Sequence, residues 1–259
     1  TELFMAVVGL SVAAIPEGLP AVLTITLAVG VQAMARRNAI VRRLPAIETL
    51  GSVSVICTDK TGTLTRNEMM AAAVAVDRDI FALEGIGYEP KGAIKLNDTV
   101  VNGRDHTLLE ELARAAAVCN DATLTERENA WSVEGDPMEG ALLALCGKIG
   151  IDVRTELSRW TRTDAIPFDA RHRYMATLNH DHQNHASIFV KGAPERVLAM
   201  CGSQLQAAGG IEALDTTYWH DTANRLAAQG QRVLAFASRQ VEPQHTVLEV
   251  ADVESPLVL

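Results

Sequence analysis

The sequence predicts a mixed α/β and α+β protein that carries one transmembrane helix. Three features indicate this class: an almost uncharged run from Leu3 to Ala35, a β-branched run from Val53 to Ile56 followed by an acidic turn, and a later series of capped helices with a hairpin. The 259 residues suffice for one large or two modest domains. We therefore expect a membrane span, then an α/β segment, then an α+β domain with an antiparallel sheet.

The net charge and the cysteine spacing limit the kind of partner and the chemistry that we expect. The net charge of −9 and the pI near 5.3 argue against a nucleic-acid partner. The four cysteines form no CxxC pair and no metal-binding spacing, which favours buried free thiols over disulfides. The sequence begins at Thr1 rather than at Met, which suggests a piece of a longer protein.

The run from Leu3 to Ala35 contains one charged residue, Glu17, and exceeds the roughly 20 apolar residues that cross a bilayer. It lacks the basic start of a signal peptide, and the alternative is a buried core helix. The arginines that follow it predict a cytoplasmic side by the positive-inside rule. They are Arg36, Arg37, Arg42 and Arg43.

Prolines interrupt this run at Pro16 and Pro20, and we expect them to break the helix there. Each proline lacks an N–H, so the carbonyls of Val12 and Pro16 lose their helical partners. Open carbonyls beside the Glu17 carboxylate are ligands for a hard cation such as Ca²⁺. The alternative is a simple proline kink with Glu17 at a helix interface.

The run from Val53 to Ile56 reads as a buried strand, and the turn CTDKTGTLT follows it. This arrangement places Asp59 at the carboxyl end of a strand, where open α/β sheets carry their sites. A carboxylate there can accept a phosphoryl group and form an aspartyl-phosphate, with Lys60 and the loop N–H groups offsetting its charge. The alternative is a polar turn with a solvated Asp-Lys pair.

Two segments carry a resemblance to a known family. DKTGTLT resembles the phosphorylation loop of P-type cation-transporting ATPases, and VAAIPEGLPAVLTITLAVG resembles the fourth transmembrane helix of the sarcoplasmic-reticulum type of calcium pump and its bacterial relatives. The resemblance implies Asp59 as nucleophile, with Mg²⁺ held by Asp59 and the Thr61 carbonyl. Related hydrolases carry a second acid at the position of Thr61, so an accumulating phosphoenzyme is expected.

The same resemblance implies a set of ligands for the transported cation. These are the carbonyls of Val12, Ala13 and Ile15 and the carboxylate of Glu17. Ca²⁺ is the cargo that the motif favours. Pumps for other cations carry related motifs, so Mn²⁺, Na⁺, K⁺ and Mg²⁺ remain alternatives.

The second half of the chain predicts helices and strands in alternation. A capping box at Thr107 opens a helix to about Val118, and Asp136 caps another that runs to Lys148, with Glu139 completing a capping box. Further expected elements are strands at Met70–Val76, Tyr174–Asn179, Ala186–Val190 and Gln231–Ser238 and helices from Pro194 and over Thr216–Gln229. Three histidines lie in the tip HDHQNH, for which a polar turn is a better interpretation than a metal site.

The segments GDPMEGALL and KGAPE resemble nucleotide-domain motifs of the same family. The resemblance implies that ATP is bound by Glu139 and Phe168 on its adenine side, by Lys191 with Gly192, and by Arg232 near the triphosphate. On local grounds Glu139 is a helix cap, Phe168 a core residue, and Lys191 and Arg232 are solvated. The family often has an arginine where this chain has Ala170; Arg173 matches a family basic residue, and Arg171 is an alternative for the phosphate contact.

These expectations combine into a division of the chain. Residues 1–35 form a broken transmembrane helix, 36–66 the first part of a haloacid-dehalogenase-like phosphorylation domain, 67–245 an inserted nucleotide-binding domain, and 246–259 a segment returning toward the phosphorylation domain.

The resemblance implies ATP-driven cation transport in a multi-pass membrane protein with both of these domains cytoplasmic. The expected partners are ATP, Mg²⁺, the bilayer, an actuator domain, further transmembrane helices and the rest of the phosphorylation domain. Alone, this chain is expected to bind ATP with little or no transport. The alternatives are a nucleotide-binding module without turnover and a soluble phosphatase, against which the membrane run and the ATP motifs argue.

Overall fold

The computed structural model describes residues 2–43, 46–128, 130–254 and 256–259, without the side chains of residues 14–17 and 61. The chain divides into two units, Thr1–Leu64 and Thr65–Leu259. The described helices are α1 (Glu2–Ala35), α2 (Ala46–Leu50), α3 (Thr107–Val118), α4 (Pro137–Ile149), α5 (Val153–Arg159), α6 (Pro194–Met200), α7 (Thr216–Ala228) and α8 (Val250–Glu254), with a π-helical turn at Lys60–Leu64 and a 3₁₀ turn at Gly103–Asp105.

The described strands are β1 (Ala73–Val76), β2 (Asp79–Leu83), β3 (Ile94–Leu96), β4 (Thr99–Val101), β5 (Thr123–Arg127), β6 (Ala130–Glu134), β7 (Trp160–Asp169), β8 (Tyr174–Asp181), β9 (Ala186–Gly192), β10 (Cys201–Leu205), β11 (Ile211–Ala213), β12 (Ala235–Val241) and β13 (Leu257–Val258).

Helix α1 is 34 residues long and has the length and composition of a membrane span. None of its described side chains is buried. The expected break at Pro16 and Pro20 is wrong, because α1 continues through both prolines. Proline fixes φ near −65°, which is itself a helical value, so the lost N–H groups remove hydrogen bonds without ending the helix. The side chains of Ile15 and Glu17 lie outside the described residues.

The buried strand expected from Val53 to Ile56 is also wrong. This segment has no regular structure, and the side chains of Val55 and Ile56 are 72% and 84% exposed. A buried strand needs neighbours to bond with on both sides, and the described residues before Thr65 contain no strand. The haloacid-dehalogenase-like sheet is therefore not formed by the described part of this unit.

The second unit is built on a seven-stranded sheet with the order β11-β10-β13-β12-β9-β8-β7. All of its pairings are antiparallel except the parallel pairing of β10 with β13. Strands β8 and β9 are neighbours inside the sheet, with Met175 opposite Lys191 and Tyr174 opposite Gly192. Their register explains the two faces of the sheet.

Alternation along β8 and β9 sends successive side chains to opposite faces. Tyr174, Ile188 and Val190 pack on one face against α6 and α8 residues, whereas Met175 and Phe189 pack on the other face against Ala115, Val118 and Cys119 of the α3 end. Because Lys191 follows Phe189 by two positions, its side chain belongs to the face that α3 covers.

A smaller antiparallel sheet of β1, β2, β3 and β4 packs with α3 and α4 into another core, and β5 pairs with β6 as a hairpin. Helix α3 spans the expected residues, but its N-cap is His106 without a side-chain cap, so the capping box at Thr107 is wrong. Helix α4 has the expected cap, in which Asp136 Oδ1 accepts from the N–H of Met138 at 2.8 Å. Gly150, at φ 98°, closes it.

Two expected boundaries differ in the last quarter of the chain. Strand β12 begins at Ala235, so Arg232 precedes it instead of lying within it. Residues 246–259 were expected to lead back to another domain, but Leu248, Val253 and Leu257 are buried against the large sheet. Their apolar side chains fill this core, and β13 adds a strand to the sheet.

Candidate nucleotide site

Glu139 and Lys191 form a buried ion pair. Glu139 lies in the first turn of α4 and is 8% exposed, and Lys191 lies near the end of β9 and is 3% exposed. The Lys191 ammonium donates to Oε1 of Glu139, and the backbone N–H of Asp121 donates to Oε2 at 3.0 Å. Burying either charge alone is costly, so loss of one partner would leave an uncompensated charge at this depth.

Glu139 therefore does not serve as the reciprocal partner of a capping box. Its carboxylate is directed to Lys191 and Asp121, whereas Asp136 alone caps α4 through its side chain. The interpretation of Glu139 as a cap is therefore wrong, and its role as a site residue stays a prediction.

Gly192 allows the backbone to approach closely beside this pair. A Cβ at Gly192 would lie 2.5 Å from the carbonyl oxygen of Arg173 and 2.8 Å from Cα of Tyr174. The next residue, Ala193, donates its N–H to the same Arg173 carbonyl at 2.9 Å. The turn before β8 and the KGAPE segment are thus held together through the backbone.

Arg173 occupies the turn between β7 and β8 with φ 59°, a left-handed conformation. Its N–H donates to the Asp169 carbonyl at 2.7 Å, and its guanidinium forms an ion pair with Glu195 at 2.6 Å. Both side chains of that pair are about half exposed, so the guanidinium can exchange this carboxylate for a phosphate. Arg171, the alternative, is 84% exposed and paired with Asp169 at 2.9 Å.

Phe168 lies in β7 and is 63% exposed, so the interpretation as a core residue is wrong. Its strand neighbour Asp169 pairs with Tyr174, which itself pairs with Gly192. An exposed aromatic face this close to the KGAPE strand can stack on a planar base.

Arg232 lies in the segment between α7 and β12, three positions before Ala235, which pairs with Gly192. Together with Phe189 and Pro194 it lines a cavity of about 500 Å³. Glu139, Phe168 and Lys191 do not line this cavity. The structure therefore places Arg232 near the KGAPE segment without a direct contact to the ion pair.

The expected phosphorylation and cation residues belong to the first unit. Asp59 and Lys60 are exposed, and Lys60 begins the π-helical turn. Val12 and Ala13 are exposed on α1. The side chain of Thr61 lies outside the described residues, as do those of Ile15 and Glu17.

The histidines of the β8–β9 tip each have a different partner. His180 Nε2 donates to the Pro243 carbonyl at 3.1 Å, His182 Nε2 to the Ser158 carbonyl at 3.1 Å, and His185 Nδ1 to Asp181 at 2.9 Å. Since the three rings are directed to separate partners, they do not converge on one point. The described residues contain no cluster of three or more His, Cys, Asp and Glu side chains that could hold a metal ion.

The thiols of Cys119 and Cys146 are buried and weakly acidic. Burial raises the pKa of Cys119 to about 11, although the Lys191 charge acts against this, and burial raises the pKa of Cys146 to about 12. All four cysteines are free, as the sequence predicted, but burial holds only for Cys119 and Cys146, since Cys57 is exposed and Cys201 is partly buried. Cys119 and Cys146 therefore act as core residues of α3 and α4.

Sequence reasoning missed three residues of this site: Asn120, Asp121 and Arg162. Asn120 and Asp121 follow the end of α3, and Arg162 lies in β7. The only sequence signal is a polar pair directly after an apolar helix. No periodicity relates that pair to Glu139, which is 18 positions away from Asp121.

The comparisons with known proteins identify the family. Residues 108–259, more than half of the chain, match the model for the P-type ATPase cytoplasmic domain N. The chain belongs to the P-type ATPase family. The matched residues include Glu139, Lys191, Gly192 and all strands of the large sheet.

Several curated relatives are similar over nearly all of this P-type ATPase chain. A cation-transporting ATPase pma1 of Synechocystis is 44% identical over 99% of the chain, and a calcium-transporting ATPase of Bacillus subtilis is 36% identical over 95%. The mouse calcium-transporting ATPase type 2C member 1 is 38% identical over 98%. The chain spans 29%, 28% and 28% of these three proteins, which is less than a third of each.

Proposed function

We propose that the second unit binds ATP and that the parent protein is an ATP-driven cation pump with Ca²⁺ as its cargo. The observation that supports ATP binding is the buried pair of Glu139 and Lys191 beside the Gly192 close approach and the exposed ring of Phe168. The names of the Bacillus and mouse relatives support Ca²⁺.

The residues present fit a nucleotide. Phe168 offers an exposed ring for adenine, Lys191 a cation held in place by Glu139, and Arg173 a guanidinium whose present partner is an exchangeable carboxylate. Charge-assisted contacts of this kind are strong for phosphate oxygens. Arg232 would extend the site toward the phosphates.

In the proposed mechanism Asp59 is the nucleophile that takes the γ-phosphoryl group of ATP. One carboxylate oxygen forms the new P–O bond, the bond to the β-phosphate oxygen breaks, and ADP leaves. Asp59 and the Thr61 carbonyl would hold Mg²⁺, which supplies positive charge to the phosphate oxygens when bound. Lys60 would add to that charge.

Glu17 and the carbonyls of Val12, Ala13 and Ile15 are the proposed ligands of the transported cation. Phosphorylation would bias a membrane unit between two states that hold and release it. In the parent protein this chain would act together with the bilayer, the other transmembrane helices, the actuator domain and the remaining phosphorylation domain. The two soluble parts would be cytoplasmic, and the phosphorylation domain would have a haloacid-dehalogenase-like fold.

The direct test of nucleotide binding is an ATP titration of the full chain in detergent by calorimetry. We expect Lys191→Ala to weaken ATP binding at least tenfold. The matched control is Lys95→Ala, which removes a lysine paired with Glu84 at 2.6 Å on the small sheet and should leave the affinity unchanged. Equal affinity of wild type and Lys191→Ala would contradict the site.

The test of the nucleophile and the cargo uses the full-length parent protein. Acid-stable labelling from γ-labelled ATP should disappear in Asp59→Asn and should require the transported ion. Screening Ca²⁺, Mn²⁺, Na⁺, K⁺ and Mg²⁺ identifies the cargo as the ion that triggers labelling. Labelling that survives in Asp59→Asn would remove the nucleophile assignment.

A second candidate function is a nucleotide-binding module that does not turn over by itself. The exposed segment from Val53 to Ile56 favours this interpretation for the chain alone, because the strand that should support Asp59 is not formed. ATP binding without labelling of the isolated chain is its expected signature.

A further inference from the structure

We propose that Arg162 is a positioning residue of the nucleotide site. It fixes the chain corner from Val118 to Asp121, and that corner holds the Glu139 carboxylate so that Oε1 receives Lys191. The inference rests on the proposed ATP site and adds a residue that would not touch the nucleotide.

Arg162 binds the corner through three acceptors. Its Nη1 donates to Oδ1 of Asp121 at 2.5 Å, and its Nη2 donates to the carbonyls of Val118 at 3.1 Å and Asn120 at 2.6 Å. The guanidinium presents its donors as a rigid planar fork, so one side chain can bind several acceptors in a fixed geometry. The Arg162 side chain is 32% exposed, which keeps this fork partly shielded from water.

The corner needs such a partner because α3 ends there. The last carbonyls of a helix receive no hydrogen bond from an N–H group of the same helix, so they need a donor from elsewhere. A cation near them also interacts favourably with the helix dipole. Arg162 supplies both effects at Val118, the last residue of α3, and also binds the Asn120 carbonyl just beyond the helix. The residue comes from β7, so it ties the end of α3 to the edge strand of the large sheet.

The corner in turn determines where Glu139 points. The Asp121 N–H donates to Oε2 of Glu139 at 3.0 Å, and the Asn120 amide donates to the Glu139 carbonyl at 3.0 Å and to the Ala116 carbonyl at 3.1 Å. Both the backbone and one carboxylate oxygen of Glu139 are thereby fixed. The other oxygen is left for the Lys191 ammonium.

Loss of the Arg162 fork should therefore act through Glu139 on Lys191. Without it the corner loses three hydrogen bonds, the Asp121 N–H moves away from Oε2, and the carboxylate can rotate away from the ammonium. Lys191 is then no longer held in the position that the proposed nucleotide site requires.

A double-mutant cycle on ATP affinity in the full chain tests this path. Arg162→Gln should weaken ATP binding about fivefold in the wild-type background but less than twofold in Glu139→Gln, because interacting sites are not additive. Arg162→Lys should restore part of the affinity, since it returns the charge without the fork. The control Arg78→Gln breaks an ion pair of 3.0 Å with Asp215 and should have no effect.

A second readout follows the corner without nucleotide. The backbone amide of Asp121 should lose its hydrogen-bonded chemical shift and its protection from hydrogen exchange in Arg162→Gln, measured by NMR on the full chain in detergent. A general loss of stability would not select this amide. An unmoved Asp121 amide, or equal fivefold effects in both backgrounds, would overturn the proposal.

The two proposals fail in different ways. If wild type binds ATP and Lys191→Ala does not, but Arg162→Gln binds like wild type, the positioning role is wrong and the ATP site stands. If wild type does not bind ATP, both are wrong.

Discussion

The carbonyl oxygen of Arg173 lies where a side chain on Gly192 would have to be. A Cβ there would approach this oxygen to 2.5 Å, which real structures do not show. The turn that carries Arg173 and the strand that carries Lys191 are consequently in backbone contact, with Ala193 donating to the same carbonyl. This backbone contact depends on the absence of a methyl group at position 192.

Gly192→Ala should therefore damage both the fold and the site. Overpacking against backbone costs about 1–3 kcal/mol of unfolding free energy, and the turn must shift to relieve it. We expect a lower midpoint in urea unfolding and weaker ATP binding. Gly51→Ala is the control, since its Cβ would meet the Glu48 carbonyl at an ordinary 3.5 Å. An unchanged midpoint for Gly192→Ala would contradict the close approach.

Because the ion pair is buried, we expect removal of one charge to lower the free energy of unfolding more than removal of both charges does. Lys191→Met leaves the Glu139 carboxylate buried without its cation, for which about 3–5 kcal/mol of unfolding free energy is typical. Adding Glu139→Gln removes the remaining charge and should recover a large part of this loss. Urea unfolding of the single and double variants measures the difference. Additive losses would show that the two residues do not depend on each other.

Phe168→Ala separates binding from stability. Because the ring is 63% exposed, its removal should leave the unfolding midpoint nearly unchanged. Loss of stacking on adenine should weaken ATP binding about tenfold, within the roughly 1–3 kcal/mol that aromatic stacking on a base contributes. Ile211→Ala, a 62% exposed residue of β11, is the control for both measurements. Wild-type affinity in Phe168→Ala would assign adenine to another surface.

Ionised Asp181 is expected to stabilise the fold, and this stabilisation should be lost in acid. Burial by itself would raise the pKa of Asp181, but the His185 side chain and the N–H groups of His185 and Gln183 outweigh it and lower this pKa to about 2. A depressed carboxyl pKa contributes stability above the unfolded value near 4, and this contribution is lost as the pH falls toward 2.

Thermal unfolding of wild type and Asp181→Asn between pH 5 and pH 2 measures this contribution. The variant should start from a lower melting temperature and lose less of it on acidification. If both proteins lose the same number of degrees, Asp181 does not carry this part of the acid sensitivity.

The sequence predicted much of the second unit because its local signals agree with its packing. Asp136 and Pro137 mark the start of α4 as a cap and a first helical residue do, and the alternation in β8 and β9 follows the two faces of the sheet. Local signals also gave one wrong prediction. Glu139 fits a capping box by its spacing, yet its carboxylate pairs with Lys191, 52 positions away. Such a long-range contact has no period that a single sequence can display.

The first unit shows the opposite limit. The β-branched residues from Val53 to Ile56 have strand propensity, but a buried strand also needs partners, and the described residues before Thr65 provide none. Pro16 and Pro20 predicted a break, although proline's fixed φ is compatible with the helix that continues through them. The corner at Asn120 and Asp121 was not predicted because its role depends on an arginine from another strand.

The short strand β13 lies between β10 and β12, inside the large sheet, although it belongs to residues 257 and 258. A ribosome must therefore deliver these residues before β10 and β11 can join the strands that carry Lys191 and Phe168. Until then β12 has an open edge, to which another nascent chain could pair. For this unit, assembly of the sheet has to wait until residues 257 and 258 are synthesised, because a chain without them would leave the place between β10 and β12 unfilled.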